Sequence, residues 1–373
     1  MNSRHSSQFS SHPTSLGSYI CMGSFKVFER ALSWLFKSKS LTYAIDTTQQ
    51  STILHNDALE LLEFAKSYRN HFAQKNLICR VTNNPGDVET TTGLLKTLKD
   101  HIQQERHLLL ASDEILAKVL SYRRLKNGQQ LELPVMTPGK GIEYISYKID
   151  TSFHLFNRME AFALLNVDKS KGCPIILFRG TDFSLVREEG RRSILHDIDP
   201  KGPGHTQFEK IKEDLSRYLE TINKTYGPIR LVGHSLGGVM LLYTLTHYPH
   251  LLQKSTHLPS VAFNFPGIGS KMFEKFCALD EHERPMFQGF VSEGDVISKF
   301  GKLVGDIYSL NLGLDLSPIR AHEELFFLAP RVEVQKVDVD QENGCDKRLY
   351  FSNLHEKTAS FLYELGLKSV FTR

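Results

Sequence analysis

The sequence is poor in cysteine, and spacing pairs none of what there is. Cys21, Cys79, Cys173, Cys277 and Cys345 are scattered over 373 residues with no C-x-x-C among them. That excludes a disulfide framework and a thiolate zinc site, and is read as five free thiols kept in a reducing compartment. A run of about 18 apolar residues is also missing, so no helix is predicted to span a membrane. No secretory leader is predicted either. The best N-terminal apolar stretch, 25–36, is broken by Lys26, Glu29 and Arg30, which the apolar core of a leader does not carry. The expected location is cytoplasmic, or outside the cell by a route without a classical leader. Excess charge of either sign is small: 45 basic against 42 acidic residues leave +3. That gives no general drive towards nucleic acid, and no such partner is expected. A Gly-rich phosphate loop is lacking. His196, Asp197, Asp199 and His205 fall close together but without metal-ligand spacing. Neither a metal nor a cofactor is expected.

What is present reads as a globular chain, with 40% hydrophobic and 23% charged residues. Residues 1–23 are expected to be disordered, since seven serines fall in the first 18 positions with little apolar surface to bury. The segment is read as a loose tail or as an export signal. Residues 24–130 are expected to form a helical accessory region. Phe25, Phe28, Leu32, Leu35 and Phe36 make one stripe. It is read as packing on its own domain, with peripheral membrane contact as the alternative. Further helices are predicted through Ala58–Phe72, through Leu94–Leu108, and from Ser112 as N-cap through Leu120. Their expected role is a cap or support. The stretch 131–141, with Pro134 and Pro138, reads as a linker.

From there to residue 373 the texture changes to one domain. Short β-rich runs at 142–149, 161–167, 174–178, 230–233 and 261–265 alternate, in their later part, with helical runs at 207–223 and 239–248. This alternation predicts the α/β class with a mostly parallel sheet.

Chemistry enters at Gly233-His234-Ser235-Leu236-Gly237, a G-x-S-x-G pattern between an apolar strand and an apolar helix. Strand, sharp turn and helix are what a nucleophile elbow requires, with the serine exposed at its tip. The glycines at 233 and 237 are where side chains would clash. The N–H of Leu236, at the start of the helix, is a candidate oxyanion donor. A serine hydroxyl needs a base, and the base needs an orienting carboxylate. In such elbows the chain order is serine, acid, histidine. The acid is expected at Asp295, in the loop after strand 287–291, with Glu293 in reserve. Past it stand His322 and His355. His355, in a loop before an apolar helix at 358–365, is taken as the base. His322, ahead of the strand-like run 325–328, is taken as structural or site-lining. A second oxyanion donor is expected at Thr181, reached through Gly180 in Phe178-Arg179-Gly180-Thr181.

Together these motifs resemble the class 3 (fungal-type) lipase family of the α/β-hydrolase superfamily, over about residues 140–365. Phe178-Arg179-Gly180-Thr181 resembles its oxyanion motif, Gly233-His234-Ser235-Leu236-Gly237-Gly238 its elbow, and Gly294-Asp295-Val296-Ile297 its acid motif. Phe263-Asn264-Phe265-Pro266-Gly267-Ile268-Gly269 resembles the segment after the elbow helix. The resemblance places His355 at the catalytic histidine, His322 at a non-catalytic one, and Asp197 as support for the oxyanion loop. It also makes 183–195 a candidate lid, or else a charged surface helix. The family usually has Arg where Gly267 stands, and often has prolines where Ser298-Lys299-Phe300 stand. What the resemblance implies is hydrolysis of carboxylic esters of lipids, acylglycerols or phospholipids, through an acyl-enzyme and without a cofactor. The rivals are a soluble-ester esterase or acyltransferase with the same triad, and a non-catalytic binding protein of the same fold. Oligomeric state is not legible.

Overall fold

The computed structural model describes residues 105–122, 125–137, 139–153, 161–180, 199, 201–255, 258–295, 297–313, 316, 318–326, 332–337, 339–340 and 345–346. The expectations for residues 1–104, the candidate lid at 183–195 and the helix at 358–365 lie outside them.

Apolar content per strand orders the sheet. The central strands β4 (Ile175–Phe178), β5 (Arg230–His234) and β6 (Ser260–Phe263) are buried at every position, as strands covered on both faces must be. The outer strand β1 (Gln130–Thr137) begins with exposed and buried residues in alternation. Nine strands form one sheet in sequence order, completed by β2 (Gly141–Asp150), β3 (Ala161–Asn166), β7 (Phe287–Ser292), β8 (Asp306–Asn311) and β9 (Glu333–Lys336). β1 to β4 pair antiparallel, β4 to β8 parallel, and β9 antiparallel. Two short strands, β10 (Val339–Asp340) and β11 (Cys345–Asp346), pair apart from it.

The linker expected at 131–141 is instead mostly β1. Pro134 is tolerated there because β1 is an outer strand with a single partner, where a missing backbone donor costs little.

Each parallel connection crosses over with a helix or turn. α2 (His205–Tyr226) links β4 to β5, α3 (Leu236–His247) links β5 to β6, and α4 (Ser270–Cys277) links β6 to β7. α2 places Phe208, Ile211, Leu215, Leu219 and Ile222 on one buried stripe. α3 is buried almost all round. These helices share one core with one face of the sheet. The other face has its own core, and into it α1 (Glu105–Lys118) inserts Leu108, Ala111, Ile115, Leu116 and Ala117.

The N-cap expected at Ser112 is therefore corrected. The helix runs through Glu105–Lys118, and Ser112 lies inside it, its hydroxyl donating to the Leu108 carbonyl at 2.7 Å. Among the described residues, no helix is long and apolar enough to cross a membrane.

Candidate active site

The parallel strands all point their C-terminal ends at one edge, and there the loops deliver the site. Between β5 and α3, Ser235 adopts φ 55° and ψ −131°, a conformation that a non-glycine residue takes only when its surroundings impose it. Its N–H donates to the Phe263 carbonyl at 3.1 Å, and its own carbonyl accepts from Gly238 at 2.9 Å. The flanking glycines are a steric requirement. A Cβ on Gly233 would meet the Gly237 carbonyl oxygen at 2.7 Å, and one on Gly237 would strike the Phe178 carbonyl. The elbow read from the sequence is thus formed.

The histidine beside this serine is His322. Its Nε2 lies 2.8 Å from Ser235 Oγ, and its Nδ1 lies 3.0 Å from each carboxylate oxygen of Asp295. All three side chains are buried. The expectation had cast His322 as structural or site-lining, with His355 as the base; the imidazole that this geometry sets between serine and carboxylate is that of His322. A hydroxyl has one hydrogen to donate, and the acceptor in place is His322 Nε2. His355 lies outside the described residues.

The segment 306–311 is β8, whose mixed sequence Asp306-Ile307-Tyr308-Ser309-Leu310-Asn311 gives no strand signal, and His322 follows it. Leu325 and Phe326, expected to begin a strand, are packed into the core beneath α1.

The tautomer follows from the partners. A carboxylate only accepts, so Nδ1 carries the proton, and Nε2 of the neutral ring accepts from Ser235. Asp295 is completely buried. Burial pushes its carboxyl up, but His322, the Ser298 hydroxyl and the Ile297 N–H outweigh this and hold it below the usual carboxylate value. Ser298 stands where the resemblance leads one to expect proline. Its hydroxyl donates to the Asp295 carboxylate, a role the sequence did not announce.

His234 faces His322 with ring centroids 4.9 Å apart. Its Nε2 donates to the His322 carbonyl at 3.2 Å, so its Nδ1 accepts from the Tyr122 hydroxyl at 2.8 Å. Burial, then His322 and Lys118, push its pKa well below the ordinary histidine value, and it stays neutral. Tyr122, just past α1, was missed because the N-terminal helices carry no catalytic pattern.

Gly180 runs directly beside the nucleophile. A Cβ there would come within 2.8 Å of the Ser235 Cβ and would collide with the Tyr122 hydroxyl. Leu236 opens α3, and the N–H of a first helical residue has no partner within its helix. Thr181 and Asp197 lie outside the described residues. The Asp199 carboxylate accepts from the backbone N–H groups of Lys201 and Thr206 and so caps the start of α2.

Fold and site define a class: an α/β-hydrolase fold with serine, histidine and aspartate hydrogen-bonded in series at the carboxyl edge of its sheet. Residues 191–304 match the family model described as Lipase (class 3). The resemblance to class 3 lipases holds over that stretch, which includes Ser235 and Asp295 and ends before His322. One solved structure, described as a fungal lipase–inhibitor complex and a model for interfacial activation in lipases, is similar at 14% identity and a TM-score of 0.36. The match covers 49% of this chain and 82% of that one. No curated protein matches the chain. The family match supports a lipase-type hydrolase.

Proposed function

We propose that the protein hydrolyses carboxylic esters of lipids through an acyl-enzyme on Ser235. The observation that carries this reading is the unbroken series Ser235 Oγ, His322 Nε2, His322 Nδ1 and Asp295. In this mechanism Ser235 attacks the ester carbonyl while His322 takes its proton. Asp295 holds the ring in the competent tautomer and stabilises the imidazolium. The N–H of Leu236, with Thr181 as second donor, takes the oxyanion. His322 then protonates the departing alcohol, and water, deprotonated by the same histidine, releases the acid. The lipid class of the ester rests on the family match to 191–304.

Labelling of the full chain with a fluorophosphonate tests the reading. Wild type and His355→Ala are expected to label, and Ser235→Ala and His322→Ala are not. Labelling that survives His322→Ala but is lost in His355→Ala would return the base to His355. Silence of folded wild type, with and without detergent micelles, would favour a non-catalytic binding protein. Release of fatty acid from triacylglycerol or phospholipid emulsions, against a soluble short-chain ester, then separates lipase, phospholipase and esterase.

A further inference from the structure

Among the described residues, two non-glycine positions have positive φ. One is Ser235, and the other is Asn264, at 45°, one residue past β6. Strain of this kind costs about 1 kcal/mol or more in a residue other than glycine, and persists where its surroundings impose it.

The Asn264 side chain is fully engaged. Nδ2 donates to the carbonyls of His322 at 2.7 Å and Ala321 at 3.1 Å. Oδ1 accepts from the Ser292 N–H at 2.8 Å. The amide orientation is forced, because backbone carbonyls only accept and an N–H only donates. The Asn264 N–H donates to the Phe290 carbonyl at 2.7 Å. One buried carboxamide therefore ties the end of β7, three residues before Asp295, to the main chain of the base. His322 sits in α5 (Pro318–Glu323), a six-residue helix too short to hold itself. A glycine would take the backbone angle with less strain, so what asparagine adds is its carboxamide.

We propose that Asn264 is a positioning residue whose carboxamide fixes the His322 main chain relative to Asp295 and so keeps Nε2 on the serine hydroxyl. This rests on the serine-hydrolase reading above.

The test uses the full chain with a soluble p-nitrophenyl ester and a fluorophosphonate. In Asn264→Gly, kcat and the labelling rate are expected to fall by about 10- to 100-fold with KM changed less than about twofold, as for a base displaced by a fraction of an ångström. Asn264→Asp keeps the acceptor for Ser292 but sets its second oxygen against two carbonyls. Protonated, that oxygen donates to His322; ionised, it repels it. Its kcat is expected to show a fall with rising pH that wild type lacks, at temperatures where circular dichroism reports both proteins folded. The other titratable and charged groups near His322 include Asp295, which acts in turn on Lys299, and His234, on which Lys118 acts. They are common to both proteins, so the added limb belongs to position 264.

Wild type that labels, with Asn264→Gly at wild-type kcat, overturns the proposal. So does an Asn264→Asp pH profile parallel to wild type. Failure of wild type to label sinks the hydrolase reading instead, and is told apart by that arm alone.

Discussion

At the scale of single residues, the site sets a neutral buried histidine beside one that is hydrogen-bonded to a carboxylate and a serine. His234 and His322 lie side by side with their rings tilted by 37°, yet only His322 has a carboxylate at its far nitrogen. His234 has the Tyr122 hydroxyl there instead, and burial depresses its pKa. The unfolded chain takes up a proton at this side chain near the ordinary histidine value of 6.5, while the folded chain does not. Stability from His234 is therefore fully present above that value and is lost as pH falls below it. In urea titrations between pH 6 and 4, His234→Gln should unfold with a pH slope shallower by up to about 1.4 kcal/mol per pH unit, the effect of one proton. An unchanged slope would mean His234 is charged in the fold. Asp295 acts in the same direction but lower, below the ordinary aspartate value of 3.8, since its folded pKa is depressed.

At this scale the sequence was informative about Ser235 and Asp295, whose neighbours dictate their conformation. It misled about His322, because a histidine's role depends on which strand end lies beside it. Asn264, Ser298 and Tyr122 were silent. An amide, a hydroxyl and a phenol acquire a role only through partners 28 to 112 residues away, except for Ser298, whose partner is three residues away.

At the scale of elements, α1 is the unexpected participant. Sequence reading set it apart as accessory, with Ser112 as a helix start, because its periodicity says only that one face is apolar. The structure shows what that face covers, and polar ties from the helix and the turn after it besides. Asp113 binds Arg230 at the start of β5, with Nη1 to Oδ1 at 2.8 Å, and both side chains are buried. Burial raises the Asp113 carboxyl even with the guanidinium beside it. The buried Glu114 accepts from the Phe326 N–H at 2.9 Å and pairs with Lys118, which donates to the Glu324 carbonyl at 2.6 Å. Tyr122 completes the set at His234. The helix is thus bonded to the strand that carries the nucleophile and to the segment that follows the base.

Breaking a buried ion pair strands a charge, whereas replacing both members with apolar groups removes the desolvation cost. Asp113→Ala should lower unfolding free energy by about 3–5 kcal/mol, and Asp113→Leu with Arg230→Met should recover most of that loss. Urea denaturation of the two variants beside wild type decides it. A single substitution costing less than about 1 kcal/mol would show the pair to be solvated like a surface bridge.

At the scale of the whole molecule, the plan was legible where strands are apolar throughout. β4 to β7 were legible within a residue or two because burial on both faces leaves each with a short apolar stretch, flanked by turns, as in Ile175–Phe178 and Val261–Phe263. From that plan follows the placement of Gly180, Ser235, Asn264, Asp295 and His322 after β4, β5, β6, β7 and β8 in turn. Open α/β sheets gather function at the carboxyl ends of their strands. The outer strand β1 and the fit of α1 were not legible, since each is defined by what it covers rather than by its own pattern.

The consequence concerns where the domain begins. A boundary at residue 131 would delete α1, exposing the face lined by Leu133, Ile145, Leu164, Val232 and Phe263, and would leave Arg230 without Asp113. Removal of the α1 apolar side chains forfeits about 1.5–3 kcal/mol for each large one, which summed over the helix is comparable with the whole net stability of a typical domain. Chains starting at residue 105 and at residue 131 should therefore differ sharply. The first is expected to give a cooperative thermal transition and fluorophosphonate labelling, and the second to give neither. If the chain from 131 melts cooperatively and labels, α1 is an accessory element after all, and the contacts of Tyr122 and Lys118 with the site's surroundings are dispensable to it.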